Sequence, residues 1–119
     1  MNSIITLDYT SRTSIYEQII NEFEKYVALG ILKPSEQIPS IRELASNLGI
    51  NPNTVRKAYQ ELESKGVIHT ISTKGTFISN NTNTIIENKI NKEIEEIKEK
   101  IKELEKLGLT KEEILKKLK

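Results

Sequence analysis

The chain has 119 residues, with 18 Lys and Arg set against 17 Asp and Glu, a net charge of +1 and no cysteine. That length holds one compact domain and a short appendage, and it excludes an enzyme with a separate substrate domain. The missing thiols exclude a disulfide scaffold or a thiolate metal site. No basic leader precedes an apolar run and no apolar segment reaches membrane-span length, so a soluble cytoplasmic protein with no membrane partner is expected.

Residues 1 to 13 are polar with scattered Ile, Leu and Tyr and read as an irregular arm. Ser14 to Leu29 then carries a helical pattern, with Ile15, Ile19, Phe23, Tyr26 and Val27 on one face, a capping-box spacing at Ser14 and Glu17, and Gly30 as its stop. A loop from Lys33 to Gln37 leads to Ile38-Pro39, read as a short strand.

Ser40 and Glu43 repeat the capping-box spacing and open a helix whose Ile41, Leu44, Ala45 and Leu48 share one face, closed by Gly49. Asn51 caps the next helix and Pro52 takes its first position, where the missing N–H costs nothing. That helix runs to Lys65 before Gly66, buries Val55, Ala58, Tyr59 and Leu62, and leaves Asn53, Thr54, Arg56, Lys57 and Gln60 outside. Two such helices joined by a tight turn have the layout of a DNA-reading helix-turn-helix, in which the first turns of the second helix meet base edges and phosphates. An ordinary helical hairpin with a solvated face shares that pattern.

The next segment separates the two readings. Val67 to Ser72 is β-rich, Thr73-Lys74-Gly75 is a turn, and Thr76 to Ser79 is a second short strand. A hairpin directly after the second helix reads as the wing of a winged helix, paired with the strand at Ile38, and Lys74 at its tip can meet a phosphate. His69, the one histidine, has no second His or Cys beside it and reads as a packed or DNA-facing strand residue; no metal and no cofactor are expected. The four tyrosines read as core or core-edge residues, and no residue cluster forms a catalytic constellation.

Charge supports the DNA reading only locally. Residues 1 to 80 hold eight basic and eight acidic side chains, whereas residues 42 to 74 hold five basic and three acidic. So modest an excess implies few phosphate contacts per subunit and favours binding as a dimer.

Composition changes at Asn80-Asn81-Thr82-Asn83, read as a hinge. Thr84 and Glu87 have capping-box spacing, and Ile90, Ile94, Ile97, Ile101 and Leu104 recur in steps of four and three, a heptad seam. Glu96 and Lys100 stand at the favourable ion-pair spacing. Gly108 breaks the helix, and Thr110 with Glu113 caps a last one carrying Ile114, Leu115 and Leu118. A seam this short depends on packing, either against its own winged domain or against a second subunit; self-association is the expected choice.

Taken together, the runs Ile15-Tyr16-Glu17-Gln18-Ile19, Gln37 to Ala45, Asn51 to Glu63 and Lys74-Gly75-Thr76-Phe77 resemble the GntR family of bacterial transcription regulators, and the short helical tail is similar to its YtrA subfamily. The resemblance implies a mainly α fold with a small β-hairpin: a winged helix-turn-helix DNA-binding domain at 1–80 followed by a helical dimerisation tail at 81–119. It also implies a homodimeric repressor on an inverted-repeat operator, often of a neighbouring transporter operon. The expected DNA-binding set is Ser40, Arg42, Asn51, Pro52, Asn53, Thr54, Arg56, Lys57, Lys74 and Gly75, the last matching the glycine that lets a wing backbone approach the minor groove. The expected dimerisation set is Ile90, Ile94, Ile97, Ile101, Leu104, Leu107, Ile114 and Leu115. A protein-interaction module that uses the tail and has little DNA affinity is the alternative.

Three positions depart from the family pattern: Thr13 where proline is usual, Ser35 where a glycine would favour a left-handed turn, and Thr73 where glycine is common at the wing tip. Residues 81 to 119 are too few to enclose a metabolite pocket, so any small-molecule effector is expected between the tails of two subunits or between tail and winged domain.

Overall fold

The computed structural model describes residues 5–119, so the first four residues of the expected arm lie outside it. Eight elements follow among the described residues: α1 (Ile15–Ala28), β1 (Gln37–Ile38), α2 (Ile41–Leu48), α3 (Pro52–Ser64), β2 (Ile68–Ile71), β3 (Gly75–Ile78), α4 (Thr82–Lys106) and α5 (Lys111–Leu118). The fold is mainly helical with a three-stranded antiparallel sheet in the order β1-β3-β2. Two compact units divide it, residues 1–86 and 87–119.

In the first unit the helix ends stand where local chemistry puts them. Ser14 Oγ accepts from the Glu17 N–H at 3.2 Å. Ser40 and Glu43 form the reciprocal capping box, and Gly49 closes α2 in the left-handed region at φ 67°. Asn51 Oδ1 accepts from the Asn53 N–H at 2.8 Å at the head of α3, with Pro52 as its first residue.

The apolar faces that these helices present close on one another. Ile19, Phe23, Leu44, Val55, Ala58, Leu62 and Ile78 have no accessible surface. Burying each large member contributes about 1.5–3 kcal/mol. The Phe23 and Tyr59 rings meet edge to face at 5.6 Å, locking α1 to α3. Tyr26, expected on the same face, is only half-buried, and Ile20 and Glu24 are buried instead. Lys65 Nζ lies 3.6 Å from Glu24 Oε1.

The arm is irregular but anchored. Ile5 is buried in the core. The Gln18 amide clamps residues 8 to 13: its Oε1 accepts from the Asp8 N–H at 2.8 Å, and its Nε2 donates to the Asp8 and Thr13 carbonyls at 2.9 and 2.8 Å. The Thr10 hydroxyl beside Asp8 draws that carboxyl below the usual carboxylate range.

Three local expectations change. Ser35 does take the left-handed turn that a serine argues against, at φ 66°. Its N–H donates to the Ile78 carbonyl at 2.9 Å and its hydroxyl bonds Asn80 Oδ1, so tertiary contacts hold a conformation that an L side chain disfavours. Gly75 belongs to β3 rather than to the turn, which is closed by the Lys74 N–H to the Ile71 carbonyl at 2.9 Å. The helix after the wing begins at Thr82, inside the expected hinge, because Thr82 is buried and Ile85 and Ile86 pack on the core.

The second unit is a helical hairpin. Gly108, at φ 100°, turns the chain between α4 and α5, and Thr110 and Glu113 complete a capping box at the head of α5. Lys100, expected opposite Glu96, instead meets Glu103 at 3.5 Å, while Glu95–Lys98 and Glu99–Lys102 pair at 3.3 and 3.5 Å. All are exposed pairs of small energetic weight. No helix among the described residues is long and apolar enough to cross a membrane.

Candidate nucleic-acid interface

Ser40 and Arg42 open α2, Asn51 to Lys57 form the head of α3, and Lys74 and Gly75 stand at the junction of wing turn and β3. One buried hydrogen bond sets the relation of the first two groups: the Tyr59 hydroxyl on α3 donates to the Pro39 carbonyl at 2.7 Å, one residue before the cap of α2. Burial pushes the Tyr59 phenol pKa far up, which keeps it a donor throughout the ordinary pH range.

Asn51, Pro52, Asn53, Arg56 and Lys57 are exposed and Thr54 is half-buried. Arg42 and Arg56 are exposed and have no carboxylate within ion-pair distance among the described residues. Lys57 is committed differently, with Nζ 4.5 Å from the centre of the Tyr16 ring on α1, a cation–π contact that holds its charge back along α3. Ser40 Oγ accepts from the Glu43 N–H at 3.1 Å, which leaves its hydroxyl proton available to a phosphate oxygen.

Behind the turn, the Tyr9 hydroxyl donates to the Leu48 carbonyl at 3.2 Å, tying the anchored arm to the last turn of α2. The outer row of the sheet runs Gln37, Phe77, His69 by register, with the His69 and Phe77 rings stacked at 5.9 Å. The expected strand beside the wing is thus present, and with it comes a contact that sequence reading missed. Gln37 Nε2 donates to the Lys74 carbonyl at 3.1 Å. Gly75 has φ 124°, and a Cβ there would fall 2.5 Å from Gln37 Nε2.

The residues expected for dimerisation divide into two kinds. Ile114 is 3 % exposed, buried within its own hairpin, where it shares a groove with Ile101 and Leu104. Ile90, Ile94 and Ile97 are 54, 45 and 54 % exposed, and Leu107 and Leu115 are more so, at 80 and 58 %. A row of branched side chains along α4 is thus exposed, with Ile97 also lining that groove.

Known proteins resemble this arrangement closely. The family described as bacterial regulatory proteins, gntR family, matches residues 15–78. The chain is 46% identical over 102 residues to the HTH-type transcriptional repressor YtrA of Bacillus subtilis, covering 85% of this chain and 75% of that protein. The crystal structure of a transcriptional regulator from Oenococcus oeni superposes with a TM-score of 0.80 at 39% identity, covering 95% of this chain and 94% of that one. The DNA-binding domain of AraR, solved in complex with operator ORX1, superposes with a TM-score of 0.55 at 26% identity over 63% of this chain and 96% of that one.

Proposed function

The chain belongs to the gntR family of bacterial regulatory proteins and is a winged-helix, DNA-binding transcription regulator, and from that premise we propose that it represses as a homodimer seated on an inverted-repeat operator. Each subunit lays the head of α3 in the major groove of one half-site and its wing against the flanking backbone. The observation that carries this reading is the pair Arg42 and Arg56, exposed and unneutralised beside the polar head of α3. A cation kept free of carboxylates has its charge available to guanine O6 and N7 or to phosphate. Asn53 offers the bidentate amide that suits adenine, and Thr54 offers a hydroxyl and a methyl at the groove edge. Lys57, drawn back over Tyr16, and Lys74 on the wing serve the phosphates.

Dimerisation follows from the second unit. The outward row Ile90, Ile94 and Ile97 is a heptad seam without a cover in one chain, and a second copy supplies a cover of the same chemistry. Two-fold pairing of tails makes the second half-site contact intramolecular, which offsets the small number of phosphate contacts that each neutral winged domain can make. Acting on the chromosome, the protein works in the bacterial cytoplasm.

Salt titration of binding to a selected palindromic duplex tests the reading. Log K should fall linearly with log salt, and one dimer should bind per palindrome, with a scrambled duplex binding far more weakly. Equal binding to both duplexes, or none to either, would refute it.

A further inference from the structure

The wing tip is held by a residue that belongs to neither the recognition helix nor the wing. Gln37 lies in β1, whose register sets it opposite Phe77, and its side chain crosses the outer face of the sheet toward the head of β3. There its Nε2 donates to the Lys74 carbonyl at 3.1 Å. The amide occupies the space that a Cβ on residue 75 would need, since that Cβ would fall 2.5 Å from Nε2. Gly75 is therefore required by its φ of 124°, and a side chain there would also push the Gln37 amide off the Lys74 carbonyl.

We propose that Gln37 is a positioning residue for DNA binding: it latches the Lys74 carbonyl, fixes the peptide that precedes Gly75 and so aims the Lys74 ammonium at a phosphate. Three features of the molecule support it. The wing's ladder ends at the Ile71–Gly75 pair and the turn is closed by the Lys74 N–H to the Ile71 carbonyl, so the tip residues 72 to 74 lie outside the ladder. Thr73 stands in that turn where a glycine would allow other shapes, and the Lys74 carbonyl receives its bond from outside the hairpin. Finally, Gln37 is exposed and makes no contribution to the buried core, so its bond to the wing is separable from folding.

The inference rests on the reading that the wing meets DNA, and the test separates the two. Gln37→Met keeps the bulk and removes the donor; Lys74→Ala removes the cation; the parent protein and the double variant complete a cycle on the palindromic duplex. Lys74→Ala should lower the salt slope by about one unit per wing. Gln37→Met should weaken specific binding about 3- to 10-fold, the range of one hydrogen bond, and lower the salt slope as Lys74→Ala does. Its melting temperature should be unchanged, and added to Lys74→Ala it should cost less than a further factor of about two. Full additivity of the two substitutions, wild-type affinity of Gln37→Met, or a loss of binding that tracks a loss of stability would overturn the positioning role. An unchanged slope for Lys74→Ala would overturn the wing–phosphate contact, and the latch with it, while leaving selective binding through α3 intact.

Discussion

The winged unit and the tail hairpin use the same local devices and reach opposite ends. Both begin helices with Ser or Thr capping boxes, both stop them at glycine, and both carry apolar residues in steps of three and four. In residues 1–86 those apolar faces meet each other, and Ile19, Phe23, Leu44 and Leu62 have no exposed surface. In residues 87–119 only Ile114 among the large apolar side chains is buried. Helical propensity and capping therefore say where a helix lies and nothing about what covers it. A three-helix arrangement with a sheet gives each apolar stripe a partner, whereas a two-helix hairpin can cover only the inner face of each helix.

The largest expected effect probes the closed side of that contrast. Phe23→Ala removes the ring at the α1–α3 contact and should destabilise the winged unit by about 3–5 kcal/mol, read from denaturant unfolding. A loss below about 1 kcal/mol would mean that the core is not closed there.

Ile97→Asp probes the open side. Its side chain is 54 % exposed in the single chain, so the charge should leave monomer stability nearly unchanged while putting an uncompensated carboxylate in the seam. Sedimentation should show monomers, and operator affinity should fall by about 100-fold or more as avidity is lost. A stable, fully active dimer would show that subunits join through another surface.

The third test asks whether the winged unit separates structure from recognition internally. Arg56 is exposed, so Arg56→Ala should leave the melting temperature in place. Its cost in specific binding is about 1–3 kcal/mol with relaxed preference at one base pair if the guanidinium is bidentate to a base, or a uniform loss with a shallower salt slope if it holds a phosphate. Binding at wild-type strength would remove Arg56 from the interface.

The smallest effect is on the bond that joins the helix pair. Tyr59→Phe deletes the hydrogen bond to the Pro39 carbonyl and should cost about 1 kcal/mol near neutral pH. The sign of the pH effect follows from the raised phenol pKa. Above about pH 10 the unfolded tyrosine loses a proton that the folded one retains, so Tyr59 makes stability decline as pH rises beyond that point. Urea midpoints measured from pH 8 to 11 should fall less steeply for Tyr59→Phe than for the parent; parallel curves would mean that the phenol is not buried as described.

Much of this was legible in the residues alone. The helix caps at Ser14, Ser40, Asn51 and Thr110 follow from chemistry within a few residues of each position, and the short strand at Ile38 stands beside the wing as expected. The polar head of α3 was legible for the same reason, because residues that face out of a helix are read from its period. Reading failed where the deciding partner lay far along the chain. The serine at position 35 put a left-handed turn in doubt, and Ile78 and Asn80 hold it there. Thr84 was expected to cap the tail helix, and burial of Thr82 moved the start three residues earlier. Lys57 looked like one more outward cation until Tyr16 claimed it, and nothing in the spacing of Gln37 announced its bond to Lys74.

The sequence by itself determined the family, the order of elements and the inward side of α2 and α3, because capping, glycine stops and apolar period act over one or two turns. Only the tertiary structure decided which cations stay unpaired, that Gly75 shares its space with Gln37, and that Ile114 is enclosed while Ile90, Ile94 and Ile97 remain outward. Those outcomes depend on distances between residues tens of positions apart, set only when the chain has closed its core and each side chain has met, or failed to meet, a partner.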